Sequence, residues 1–200
     1  SQTVRGAGQL LIGFGGMVNN GTIDATGTTA IFLNAGTPGF SNFGTLRASG
    51  TGGVDIISGS NFTQAGGLVD VQAASRLDVV AGNYVQTGGQ TTINGVLTTA
   101  STGSTVELQG GRFGGTGTVN FNGSGAHAIN NIAGTMAVGN SPGQLTITDG
   151  DYVQQAAASF EFELFGAVVG VSHDLLTILN GDADLSGGIN ILADQLFAST

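Results

Sequence analysis

Two hundred residues with 37 glycines, 2 prolines and no cysteine suffice for one domain, and they exclude disulfide frameworks and thiolate metal sites. Thirteen acidic residues against four arginines and no lysine give a net charge of −9, so neither nucleic acid nor an anionic bilayer is an expected partner. Only 8% of residues are charged while 40% are hydrophobic, in short alternating runs, so glycine reads as the punctuation of strands rather than as disorder.

The chain opens Ser1-Gln2-Thr3 rather than with methionine, as a processed or excised chain does. No apolar run approaches the roughly 20 residues of a transmembrane helix. Met17 and Asn19 begin a pattern that Phe40 and Asn42 continue. Asn61-Phe62-Thr63-Gln64-Ala65-Gly66-Gly67 then returns 22 positions later as Asn83-Tyr84-Val85-Gln86-Thr87-Gly88-Gly89. A fixed period of this length points to a stacked coil, not a globule. Phe40, Phe62 and Tyr84, with Tyr152 further on, form a predicted aromatic column. Asn42, Gln64, Gln86 and Gln154, headed by Asn19, form an amide column beside it. Equivalent positions in successive rungs of such a coil lie about 4.8 Å apart, so like side chains stack and amides can bond in ladders.

A second anchor is glycine, a small residue, then an aliphatic one: Gly21-Thr22-Ile23, Gly44-Thr45-Leu46, Gly66-Gly67-Leu68, Gly95-Val96-Leu97, Gly117-Thr118-Val119 and Gly134-Thr135-Met136. The phase slips between Leu68 and Leu97 and again before Met136, which reads as turn insertions and deletions at solvent-facing corners. Runs such as Leu68-Val69-Asp70-Val71-Gln72 and Arg76-Leu77-Asp78-Val79-Val80 alternate aliphatic and polar residues and are too short for helices. Asn20-Gly21, Asn94-Gly95, Asn122-Gly123 and Asn180-Gly181 mark turns between them. Three short strands per rung of about 22 residues predict an all-β fold, a right-handed parallel β-helix. Residues 1–158 would form about seven rungs, roughly 35 Å of stack. From residue 159 the texture changes. Ser159-Phe160-Glu161-Phe162-Glu163-Leu164-Phe165, His173 to Leu179 and Ile189 to Ala193 predict longer C-terminal strands over 159–200, either final rungs or a cap.

Gly110-Gly111, Gly114-Gly115-Thr116-Gly117-Thr118-Val119 and Val138-Gly139-Asn140-Ser141-Pro142-Gly143-Gln144-Leu145-Thr146-Ile147 resemble the passenger-type repeats of bacterial autotransporters. They are similar also to secreted β-helix proteins with a PEP-CTERM sorting tail. A Tyr-x-Gln strand at Tyr152, a Glu-x-Glu-Leu strand and His173-Asp174-Leu175-Leu176 continue the likeness, which covers roughly residues 60–192. The resemblance implies a right-handed β-helix, export, and a cell-surface or matrix role. It carries no catalytic residues. Neither an outer-membrane barrel nor a Pro-Glu-Pro tail follows in the sequence up to Thr200, which leaves the secretion route open.

Chemistry-bearing residues are few. Asp182-Ala183-Asp184-Leu185-Ser186-Gly187-Gly188-Ile189-Asn190 matches the first nine positions of a calcium loop, with oxygen ligands at Asp182, Asp184 and Ser186. Its twelfth position is Ala193, with Asp194 one place late, so the bidentate carboxylate is missing and a strand-turn-strand is the favoured reading. No other cofactor is expected. Asp149 and Asp151 read as turn residues, and His127 and His173 as surface or turn histidines. Polysaccharide lyases need a basic residue and hydrolases two carboxylates at a set separation. Arg47, Arg76 and Arg112 stand at different rung phases and should not line one groove. Asp70 and Asp78, with Asp55 one rung before, read as a solvated strand face rather than a catalytic cluster. Threonine pairs such as Thr116/Thr118 and Thr146/Thr148 do not recur every rung, which argues against an ice-binding face.

The expectation is therefore a non-enzymatic, exported structural solenoid at the bacterial cell surface or in the extracellular matrix, as stalk, adhesin or fibre subunit. Its expected partners are further copies of itself, stacked end to end, or extracellular polysaccharide and cell-surface components. The alternative is a polysaccharide-binding or polysaccharide-degrading β-helix.

Overall fold

The computed structural model describes residues 2–12, 14–57, 60–139 and 142–193, and its regular elements are all strands. The first rung holds β1 (Thr3–Gly6), β2 (Gly8–Leu11) and β3 (Met17–Asn19). The second holds β4 (Thr22–Ala25), β5 (Ile31–Asn34) and β6 (Phe40–Asn42); the third, β7 (Thr45–Ala48), β8 (Val54–Ile56) and β9 (Phe62–Gln64). Next come β10 (Leu68–Val71), β11 (Arg76–Val79) and β12 (Tyr84–Gln86), then β13 (Gln90–Ile93), β14 (Val96–Thr99) and β15 (Thr105–Leu108). The sixth rung is β16 (Arg112–Gly115), β17 (Thr118–Phe121) and β18 (Ala128–Asn131); the seventh, β19 (Thr135–Val138), β20 (Gln144–Thr148) and β21 (Asp151–Gln154). Finally β22 (Ser159–Leu164), β23 (Leu175–Leu179), β24 (Ala183–Leu185) and β25 (Gly188–Ala193) carry the coil on beyond Ala158.

Every third strand joins the same parallel sheet. Sheet A runs from β1 through β4 and β7 to β25, sheet B from β2 to β23, and sheet C from β3 to β24, with nine, eight and eight strands. The chain is thus a parallel β-helix. Along sheet C the register joins Met17, Phe40, Phe62, Tyr84, Val106, Ile129 and Tyr152, one residue from each successive rung.

Alternation within strands sends one side chain inward and the next outward, so Leu46, Val69 and Leu77 are fully buried beside half-exposed neighbours. The core is a continuous column of such residues. Phe40 and Phe62 lie tilted with ring centroids 5.3 Å apart, Phe62 and Tyr84 meet edge to face at 5.1 Å, and Tyr84 passes the chain of rings to Phe113 on sheet A, again edge to face, at 6.0 Å. Burial of this area, at roughly 25 cal/mol per Å² of apolar surface, is the main force holding the rungs together.

Glycine is required where sheet C turns into sheet A. The carbonyls of Gly21, Gly44, Gly67 and Gly89 each accept the amide of the following rung's first sheet A strand, at 2.8–3.0 Å. A β-carbon on Gly44, Gly67 or Gly89 would collide with the glycine carbonyl one rung earlier. Only glycine allows so close a stack.

This corner corrects the expected register. Leu68 pairs with Thr45, and it is Val69 that lies beside Leu46. Leu97 and Val119 belong to sheet B, not to the column of Ile23 and Leu46. The corner from sheet A into sheet B uses the same glycine–small–aliphatic wording at Gly95 and Gly117, so the apparent slips at Leu97 and Met136 are hops between two corners. The real insertions lie further on. Val119, Ile147 and Ile178 are successive sheet B partners, yet they stand further apart in the chain than Leu77, Leu97 and Val119 do. The extra length sits mainly at corners 139–143 and 165–174. Gly143, at the end of the first of these, meets Asp174 at the end of the second. There Asp174 accepts the Gly143 amide at 2.8 Å through Oδ1 and the Glu163 amide at 2.8 Å through Oδ2, and the Leu175 amide bonds the Gly143 carbonyl at 2.9 Å.

Candidate functional site

The amide column stands where the repeat placed it. Asn19 Nδ2 donates to Asn42 Oδ1 at 2.7 Å, and Asn42 Nδ2 to Gln64 Oε1 at 2.7 Å, all three side chains buried. The same amides also donate to the carbonyls of Thr45 on β7 and Leu68 on β10, and to that of Gly66 at the corner before β10, and so tie sheet C to sheet A. Gln86 changes partner: Thr91 Oγ1 donates to its Oε1 at 2.7 Å and itself bonds the Tyr84 hydroxyl at 2.5 Å. Leu108 then occupies the column, and Asn131, which sequence reasoning missed, resumes it. Asn131 Nδ2 donates to the Tyr152 hydroxyl at 3.1 Å, which donates to Gln154 Oε1 at 3.1 Å. Burial pushes the Tyr152 phenol up to about 12, and the Tyr84 phenol higher still. These groups are held for structure, sealed from solvent.

The outward positions of sheet A form a second column, made of charges. Arg5, Asp24, Arg47 and Asp70 are successive register partners. Arg5 lies 3.3 Å from Asp24 and Arg47 2.9 Å from Asp70. The alternation of sign from rung to rung hid this ladder, because the repeat is of charge complementarity rather than of residue type. Arg76 serves sheet B, bridging Asp55 at 2.5 Å and touching Asp78. Asp70 is therefore separate from Asp55 and Asp78, and those two share a cation rather than forming a bare carboxylate pair.

Past Asp70 the sheet A column changes character. Thr92, Gly114 and Ala137 succeed it before Glu161 restores a charge. The loss of bulk over these rungs leaves a half-open cleft of about 350 Å³. Its floor is Gly114 and Ala137; Gln90 and Thr92 form one wall, Arg112 and Glu161 the other. Gly114 is obligatory there, since a β-carbon would collide with the Ala137 carbonyl. Arg112 reaches past β19 and donates to both Glu161 carboxylate oxygens through Nη1 and Nη2, at 2.7 Å each. These bonds hold the Glu161 carboxyl below the usual glutamate range and raise the guanidinium's affinity for its proton. Glu163 and Asp174 add their fields to Arg112 from the same cleft, so carboxylates outnumber the cation.

Other sequence candidates fall elsewhere. Asp182, Asp184 and Ser186 flank or lie in β24, an extended strand on sheet C where the Tyr152 amide bonds the Asp182 carbonyl at 2.9 Å. An extended run spreads Asp182 and Ser186 about 13 Å apart, so the three oxygens do not gather as a calcium loop would. Asp194 lies outside the described residues, and among those described no cluster of three His, Cys, Asp or Glu could hold a metal. Asp149, in the bend before β21, accepts from Asn180 at 2.9 Å, while Asp151 opens β21 itself and accepts the Asp182 amide at 2.9 Å. His127 is not a surface histidine. It is buried, stacked on Phe121 with ring centroids 5.4 Å apart, and bonded through Nδ1 to Ser104. On sheet B, Thr118, Thr146 and Thr177 do share one outward column, which the enlarged corners between them obscured.

No family model matches the chain, and none of the curated proteins or solved structures compared with it does either.

Proposed function

We propose that the chain is a non-enzymatic structural solenoid of the bacterial cell surface or extracellular matrix, a stalk, adhesin or fibre subunit that associates end to end with further copies. The observation that carries this reading is the last described rung. Phe162, Ile178, Leu185, Ile189 and Ile191 border an open apolar hollow at the end of the core, with Leu185, Ile189 and Ile191 more than half exposed. The strands β23, β24 and β25 around it present parallel edges without lysine or proline, the usual guards against edge pairing. At the other end, β1 to β3 border a hollow lined by the exposed Val4 and the buried Met17, in the same three-sided geometry. A head-to-tail contact of this kind does not close, so it generates filaments.

The autotransporter-like motifs support the surface address. The non-enzymatic reading rests on the arginines, each engaged by a carboxylate. Electron microscopy and sedimentation over a range of concentrations test the association. Filaments or length-distributed oligomers are expected, and Leu185→Lys with Ile191→Lys should return them to monomers. Monomers throughout would contradict the proposal, as measured turnover of pectin- or alginate-like polymers would contradict its non-enzymatic part.

A further inference from the structure

We infer that the sheet A cleft over Gly114 and Ala137 is a subsite for an uncharged sugar residue of a polysaccharide chain. The inference concerns a lateral face and is independent of end-to-end association.

Three observations converge on it. The first is the interruption itself. The outward column that carries Arg5, Asp24, Arg47 and Asp70 loses its bulk at Thr92, Gly114 and Ala137, and recovers it at Glu161. Two rungs of missing side chain leave roughly 10 Å of sheet face recessed, with Gly114 and Ala137 buried at its floor and Arg112 reaching past them to Glu161. The resulting volume, about 350 Å³, lies at the lower end of the ~300–1,000 Å³ spanned by small-molecule sites.

The second is preorganisation. Arg112 and Glu161 are locked to each other by two parallel hydrogen bonds, and Gln90 Nε2 bonds Thr92 Oγ1 at 3.2 Å on the opposite wall. Side chains already fixed lose little further freedom when a ligand arrives.

The third is the chemistry of the walls. A guanidinium offers only donors and a carboxylate only acceptors, while amide and hydroxyl groups offer both. A ligand that satisfies all of them must itself donate and accept at closely spaced points, as vicinal sugar hydroxyls do. The excess of Glu161, Glu163 and Asp174 over Arg112 disfavours uronates and phosphates. A free cation is poorly served too, because Glu161 is held by Arg112 and both Asp174 oxygens accept backbone amides. The lining lacks an exposed aromatic platform, so a single subsite should bind weakly and gain strength from repeated engagement along a polymer.

Amide chemical-shift titration tests this with two probes, cellotetraose as the neutral saccharide and tetragalacturonate as the anionic one. Cellotetraose should give saturable shifts centred on Gly114, Gly115 and Ala137, and tetragalacturonate should not. Thr92→Arg supplies the control. Its guanidinium would stand beside Asp70, continue the charge ladder and fill the cleft, so folding should be retained while the cellotetraose shifts disappear. Absence of shifts with cellotetraose, equal shifts with both saccharides, or undiminished shifts in folded Thr92→Arg would each overturn the inference. Filament formation should be unaffected by Thr92→Arg, which separates this test from that of end-to-end association.

Discussion

The rungs from Met17 to Gln86 and the rungs from Arg112 onward share sheets and core yet are built to different standards. In the first region each column repeats in kind: Phe40, Phe62 and Tyr84 form a chain of rings, Asn19, Asn42 and Gln64 form a bonded chain, and opposite charges alternate outside. In the second, the aromatic chain has jumped to Phe113, the amide column runs Asn131 and Gln154 and then ends in Leu185, the outer charges lapse into a cleft, and two corners are enlarged. The contrast teaches that regularity and chemistry divide the coil between them. On the outer column of sheet A, side chains that recur from rung to rung fill the face at Arg47 and Asp70, and the cleft opens where their bulk is lost at Gly114 and Ala137.

The largest expected difference between the two regions is in the core. Phe62→Ala removes a fully buried ring between two others and should cost about 3–5 kcal/mol, read from urea denaturation. Phe162→Ala, at the partly exposed last rung, should cost less than half as much. Equal losses would erase the comparison. Next in size is the amide chain. Asn42→Leu deprives Gln64 Oε1 of its donor and Asn19 Nδ2 of its acceptor inside the core, for about 1–3 kcal/mol. The presence of Leu108 in the same column makes this a pointed test, since a negligible loss would show that the amides are dispensable throughout.

The smallest effect belongs to the cleft. The Glu161 carboxyl is held by Arg112 below its unfolded value of about 4.3, so its contribution is fully present above that value and is lost as pH falls through the lower, folded one. The pair is partly exposed and therefore screened. Thermal melts of wild type and Glu161→Gln should converge as the medium is acidified below about pH 4, and a constant gap at all pH values would assign the pair no titratable role.

How much of this could be read in the sequence depended on what each column repeats. Phe40, Phe62 and Tyr84 were legible because one residue class recurs once in every rung. Arg5, Asp24, Arg47 and Asp70 were not, because a stacked ion pair repeats by alternation of sign. Asn131 was hidden by Leu108, one rung before it, and by the aliphatic Val106 and Ile129 that replace the ring two places earlier. The corners misled for a different reason. Any turn that must bring a carbonyl against the next rung needs glycine, so the corner at Gly95 speaks the same language as that at Gly44 and the two were read as one. The cleft left no positive signal at all: its floor, Gly114 and Ala137, consists of the side chains that are missing.

Amide hydrogen exchange in the native state, followed residue by residue, bears most directly on the division between a regular frame and a broken, chemistry-bearing end. The slowest exchange should lie in β6, β9 and β12, where the chain of rings and the amide chain coincide, with protection falling through β16 and β19 to β23 and β25. Uniform protection along the coil, or slower exchange in β19 to β25 than in β6 to β12, would contradict it.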